Sequence, residues 1–411
     1  MSLSPLLMGL PIALMLLNLL LRQANAFPPE LSDEANWLGL MQLTERGFDP
    51  PISGPLFVCV MQAVQEHLSF GWPVILDSVA ILGSGLALVL VLSGYRYHLP
   101  NVTLIESAAI MLLVTSYFLA PALEARPQQL GTALAFLICL QVTSQPQTSN
   151  GWLLAALLPL AFWHVLSCLV AIAYLSVWKL ALWRLGSLRG GAILLWLVLA
   201  SSLLALLIGS RAYRSLLEDV LANHLPGQAT LALLIISSVL LATCFYAVPV
   251  RLWRKVRALC LSHINVVVAI ICLLSAIALT LQWRLLPSSA LQDYGGSAVT
   301  FCMWHAGNLG FCFCYLLGLQ ICFRGEVDGL QAFVNGSLIL LVFASFALFA
   351  SLFLAHVNWM IRILYFWIPF AAPLSALGLG KLLSHVDKFR LLILFCLFMA
   401  SLSHVVRLSI V

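Results

Sequence analysis

The residues best equipped for chemistry gather in one short polar stretch. Glu30, Asp33, Glu34, Glu45 and Asp49 follow one another closely in a chain that is 62% apolar and only 9% charged. The adjacent pair Asp33-Glu34 is the first choice for catalysis, because a carboxylate placed near an attacking hydroxyl can take its proton as a new bond forms. Such a displacement also needs positive charge to meet the departing group. Arginine suits a departing phosphate, since its planar fork pairs with two oxygens at once. Arg126, Arg284 and Arg362 are cations able to meet a departing anion, with Tyr365 close to the last, and Arg211 and Arg214 are further cations on the same side. Glu124, His305 and His356 are the positions at which a divalent cation would be sought; the pattern fixes no cofactor.

Each of these residues also has a plainer role open to it. Asp33 and Glu34 stand at the start of an expected helix, where acids are ordinary partners of the helix dipole. That helix carries Trp37, Leu40, Met41 and Leu43 on its expected apolar side. Arg362 sits at a segment end where long cations reach toward headgroups. Arg211 and Arg214 are spaced to pair with Glu218 and Asp219 along a solvated helix face. Asp77 and Glu106 are acids at segment edges, where ionisable groups are costly at depth.

The elements that position these residues are membrane helices. An apolar fraction of 62% exceeds the roughly 45–50% of soluble domains and cannot be buried in one water-soluble core. A span needs about 20 residues because all its backbone groups must be satisfied within the helix. About thirteen such segments are expected, near 4–21, 72–94, 104–121, 128–143, 151–166, 167–182, 191–209, 229–250, 263–282, 300–323, 333–355, 363–380 and 391–409. The long run 151–182 is divided near His164 and Ser167. The fold class is therefore all-α, a single polytopic transmembrane domain over residues 1–411. Its first extracytoplasmic loop, 22–71, carries amphipathic helices, and no separate soluble domain is expected.

Charge sets the orientation. With the amino terminus inside, inner loops hold Arg96, Lys179, Arg184, Arg189, Arg324, Lys381 and the cluster Arg251-Leu-Trp-Arg254-Lys255-Val-Arg257, the pattern of cytoplasmic loops. The acid-rich first loop then faces outward. The net charge of +5 is accounted for by this bias and gives no reason to expect a nucleic-acid partner. Ala24-Asn25-Ala26 resembles a signal-cleavage site, but no basic residue precedes the apolar run and Arg22 interrupts it, so the first segment is read as retained.

The eleven cysteines are scattered singly and read as small apolar fillers, without the paired spacing of a zinc site. Asn101-Val-Thr103 and Asn335-Gly-Ser337 match a glycosylation pattern but fall on the inner side. No Gly-rich phosphate loop follows a strand, and the inner breaks are too short for a nucleotide-binding fold. A transferred group would have to arrive on a carrier already in the membrane.

Three motifs carry a resemblance. The first comprises Asp33, Glu34, Ala35, Trp37, Gly47, Pro50, Pro51, Pro55 and Leu56. The second is Tyr117-Phe-Leu-Ala-Pro121-Ala-Leu-Glu124-Ala-Arg126-Pro127, and the third is Arg362-Ile-Leu-Tyr365-Phe-Trp-Ile-Pro369 followed by Pro373. In order and spacing the chain resembles the GT-C superfamily of integral-membrane glycosyltransferases, such as protein O-mannosyltransferases and lipid A aminoarabinose transferases. Gln128 stands where the family commonly has Asp after Arg-Pro, and the soluble carboxy-terminal domain of many members has no counterpart.

The resemblance implies a GT-C-like fold and a glycosyltransferase, moving a hexosyl or pentosyl group from a polyprenyl-phosphate donor at the extracytoplasmic face, with Arg126, Arg284, Arg362 and Tyr365 contacting the donor phosphate. The acceptor would be a lipid, a cell-envelope glycan or a protein. The implied location is a bacterial inner membrane, with membrane lipids as further partners. A transporter or flippase of lipid-linked sugars, or a non-catalytic scaffold retaining the fold, are the alternatives. A transporter would be expected to show internal repeats with broken helices, and no convincing duplication is visible.

Overall fold

The computed structural model describes residues 4–24, 33–46, 54–145, 148–209, 298–327, 329–354 and 358–383. Within them the chain is helical, with no strand. The elements are α1 (Pro5–Gln23), α2 (Asp33–Glu45), α3 (Pro55–Leu68), α4 (Trp72–His98), α5 (Val102–Leu113), α6 (Ser116–Leu123), α7 (Pro127–Ser144), α8 (Asn150–Trp163), α9 (Val165–Arg184), α10 (Gly190–Gly209), α11 (Ala298–Phe323), α12 (Gln331–Leu354) and α13 (Asn358–Leu383). Four helices are long and apolar enough to cross a membrane by length and composition: α1, α4, α9 and the Ile363–Leu382 part of α13. The expected segments 229–250, 263–282 and 391–409 lie outside the described residues.

α1 shows the division of surfaces. Leu7, Pro11, Leu14 and Asn18, three or four residues apart, are buried against α4, while Met8, Ile12, Leu16 and Leu20 form an exposed apolar stripe along another face. A continuous apolar stripe of this kind suits a lipid environment and would be a liability in water.

Two boundaries fall at polar residues within apolar runs. His164 is extended (φ −155°, ψ 102°), and its Nδ1 accepts from the Ser167 amide at 3.3 Å, so it caps α9 and separates it from α8. The division of the run 151–182 therefore falls where the polar residues put it. The segment expected as one span over 104–121 is instead two short helices, α5 and α6, meeting at Val114-Thr115. Thr115 is fully buried and its carbonyl accepts the first bonds of α6 from Phe118 and Leu119 at 3.2 and 3.1 Å. The backbone ladder restarts at this carbonyl, and Pro121 removes a further helical donor.

Lys179 also differs from expectation. It belongs to α9, not to an inner loop, and is buried there. Its ammonium donates to Asn150 Oδ1 at 2.9 Å and lies 5.5 Å from the centroid of the Trp196 ring, partners that were not visible in its local sequence.

α13 packs most extensively, against α11, α12 and α5. Its crossing with α11 is close enough that backbone meets backbone. A Cβ on Gly318 would fall 1.8 Å from the Leu374 carbonyl oxygen, and one on Gly378 would fall 1.9 Å from that of Cys314. Small residues at such crossings let dispersion and polar contacts do what the hydrophobic effect cannot do between helices in lipid. An aromatic core lies alongside, with the Phe136 and Phe370 centroids 4.9 Å apart and Tyr174 stacked on Phe370 at 5.7 Å.

Pro369 and Pro373 both lie inside α13. Pro373 has no N–H, so the Pro369 carbonyl four residues earlier loses its helical donor. The buried phenol of Tyr95 on α4 donates to that oxygen at 2.8 Å. Tyr95→Phe leaves the carbonyl unmatched and is expected to cost about 1–3 kcal/mol. Thermal unfolding of the purified protein in detergent measures it; an unchanged melting temperature would show that the bond contributes nothing.

Candidate functional site

The two described helices of the first loop, α2 and α3, pack at one end of the helix bundle, α3 against α4 and α8. In α2, Glu34, Trp37, Leu38 and Met41 recur at helical spacing on one face, with Glu34 and Met41 buried. Leu43, expected on the apolar side, is exposed, because the buried face is set by Glu34 and Met41 seven residues apart. Trp37 packs edge-on against Phe57 of α3 at 5.4 Å, and Phe57 does the same with Trp163 at the end of α8 at 5.5 Å. The Trp163 indole N–H donates to the Pro127 carbonyl at 2.9 Å, joining this aromatic floor to the start of α7.

Arg22, the last charged residue of α1, is the centre of the arrangement. All five of its N–H donors are used. Nε donates to Asn18 Oδ1 at 3.1 Å, and Nη1 donates to Asp77 Oδ1 at 2.6 Å and Glu34 Oε2 at 3.2 Å. Nη2 donates to Glu34 Oε1 and to the Leu123 carbonyl, the latter at 3.1 Å. Glu34 Oε1 also accepts from the Ala125 amide at 2.5 Å. Asn18 in turn donates to the Ala80 carbonyl at 3.0 Å, which Gln129 of α7 also reaches at 3.0 Å. One guanidinium therefore ties together α1, α2, α4 and the end of α6, and Glu34 adds the turn that follows through the Ala125 amide. The Arg22 and Glu34 side chains are almost wholly enclosed, at 5% and 2% exposure, whereas that of Asp77 is 49% exposed.

The α6–α7 turn brings in the next group. Arg126 is buried, its Nε lies 3.3 Å from Glu124 Oε2, and its guanidinium carbon lies 5.9 Å from the centroid of the Tyr365 ring on α13. Arg126 and Tyr365, chosen separately as phosphate contacts, are thus brought together. Glu34 is held as a brace: both of its oxygens are engaged by Arg22 and the Ala125 amide. Asp33 begins α2 immediately before it. The side chains of Asp33, His305 and Arg362, and residues Arg284, His356, Arg211 and Arg214, lie outside the described residues. Among the described residues no group of three His, Cys, Asp or Glu is arranged to hold a metal ion.

Arg22 was visible in the sequence only as a charge ending the first apolar run. The signal that marks it is its spacing of four from Asn18, which places two polar groups on one helix face where unpaired ionisable groups are costly. Asp77, noted only as an edge acid, is its second carboxylate partner. Asn101 supplies a plain explanation for its own motif, since its side chain caps α5 by accepting from the Leu104 amide at 2.8 Å.

The described chain is thus an all-helical protein with helices suited to crossing a membrane and a polar, arginine-centred site at one end of the bundle. Comparison with family models and with curated proteins returns no match.

Proposed function

We propose that the protein is a membrane glycosyltransferase, similar to the GT-C superfamily, which moves a sugar from a polyprenyl-phosphate donor to a hydroxyl acceptor at the extracytoplasmic face. The observation that carries this reading is the clamp on Glu34 by Arg22 and the Ala125 amide. It holds the start of α2, and with it Asp33, at the junction of α1, α4 and the turn bearing Arg126.

Asp33 accepts the proton of the acceptor hydroxyl while that oxygen bonds to the anomeric carbon. The carbon's bond to the phosphate oxygen breaks, and polyprenyl phosphate leaves with the electron pair. Arg126, over the Tyr365 ring, meets the charge that develops on that phosphate. Orientation is supported by charge. Among the described residues the site end carries three basic residues, Arg22, Arg46 and Arg126, while the opposite end carries Arg96, Arg184, Arg189, Arg324 and Lys381, the bias of a cytoplasmic side.

The test is turnover of a panel of radiolabelled polyprenyl-phosphate sugars by membranes containing the protein, with a cell-envelope extract as acceptor. Label entering an acceptor, dependent on the protein, is the expected result. Purified protein that moves lipid-linked sugar across liposome bilayers with no acceptor, and transfers none with one, would replace this reading with that of a flippase.

A further inference from the structure

The first two turns of α7 hold two buried polar groups that the protein itself leaves unmatched. Gln128 is 5% exposed and its Nε2 has no hydrogen-bond partner; Thr132 is 6% exposed and its Oγ1 has none either. They are four residues apart and share one face of the helix. Leaving such groups unbonded is costly, so a second use for them is to be sought.

Their surroundings point to an anion. The α7 amino terminus receives no side-chain cap from Arg126, the residue at its cap position, and Pro127 opens the helix. Uncapped helix amino termini favour anions. Arg126 and Tyr365 stand beside this end. Glu124, 3.3 Å from Arg126, is the carboxylate with which an incoming anion would share that cation. Thr132 lines a narrow cavity with Phe118, Pro121, Ala122, Tyr365 and Pro369. It has room for about one water-sized group, which admits a single oxygen and excludes a sugar ring.

We propose that Gln128 and Thr132, one turn apart on the same face of α7, form a donor pair that binds the oxygens of a phosphate ester, with Thr132 lining the cavity. Gln128 thereby offers a neutral N–H donor to the phosphate. The inference rests on the transferase reading only in naming the ligand as a polyprenyl phosphate.

Purified full-length wild type, Gln128→Leu and Thr132→Val are compared in detergent, first by thermal unfolding without ligand, then by titration with sugar-free polyprenyl phosphate and, separately, with inorganic phosphate. Each variant is expected to melt at or above wild type, since no bond within the protein is lost. Each is expected to bind polyprenyl phosphate on the order of tenfold more weakly. The same weakening toward inorganic phosphate would assign the pair to the phosphate group alone; a response confined to the lipid would assign it to the headgroup in its membrane setting. A melting temperature lowered in both variants would overturn the proposal, because the two groups would then have partners in the fold, and so would unchanged affinity. Weakened binding in a protein that transfers no sugar would remove the transferase reading and keep the site. Transfer with unweakened binding would remove the site alone.

Discussion

Asp33→Asn is expected to lower sugar transfer by roughly two to four orders of magnitude, the usual contribution of a positioned general base, with little change in melting temperature. Asparagine keeps the shape and the helix-start preference of aspartate but cannot take a proton. The stability at stake is the dipole interaction of one acid at the start of α2, about 0.3–1 kcal/mol. Glu34→Gln provides the contrast. Glu34 is enclosed and holds Arg22 on both oxygens, so its loss is expected to lower stability and transfer together. Donor turnover and thermal unfolding, measured on both variants, separate the base from the brace. Full activity in Asp33→Asn would remove the catalytic assignment, and an unchanged melting temperature in Glu34→Gln would remove the clamp.

What the chain reveals along its length is what local pattern governs. Apolar runs of span length marked α1, α4 and α9, and the polar pair His164 and Ser167 marked the α8–α9 break, because a capping side chain acts within its own turn. The break at Thr115 escaped, since Val114 and the surrounding aliphatic residues keep the hydropathy high across it. Tertiary pairing is the larger loss. Arg22 is separated from Asp77 by 55 residues and from the Leu123 carbonyl by 101, and nothing near Arg22 in the chain announces either. Arg126 and Tyr365 were found by resemblance to motifs that happen to meet in space, and Gln128 was noticed only as a departure from one of them. Its unmatched amide is a fact of packing. Lys179 shows the same limit from the other side, since a cation near a segment end reads as a loop residue until Asn150 and Trp196 are seen to enclose it.

The second large effect concerns Arg22, where one cation faces two carboxylates that differ in their access to water. Arg22→Met is expected to cost about 3–5 kcal/mol, the range for removing one member of a buried pair, because Glu34 is left enclosed with its charge. Asp77→Asn, by contrast, is expected to cost under about 1 kcal/mol, as the half-exposed Asp77 is already screened by its surroundings. The double change Arg22→Met with Glu34→Met removes both buried charges and is expected to cost less than the two single changes added together. The difference should be on the order of 1–3 kcal/mol, the usual range for residues in direct contact. Thermal or denaturant unfolding of the four proteins closes the cycle. Additive single effects would mean that Arg22 and Glu34 act independently, and the clamp that holds α2 against α1 and α4 would then have to lie elsewhere. A coupled pair, accompanied by lost transfer in Arg22→Met and by its partial return in Arg22→Lys, would tie the brace to the chemistry. Lysine restores the charge without the fork, so the portion of activity that does not return measures what the five-donor geometry contributes.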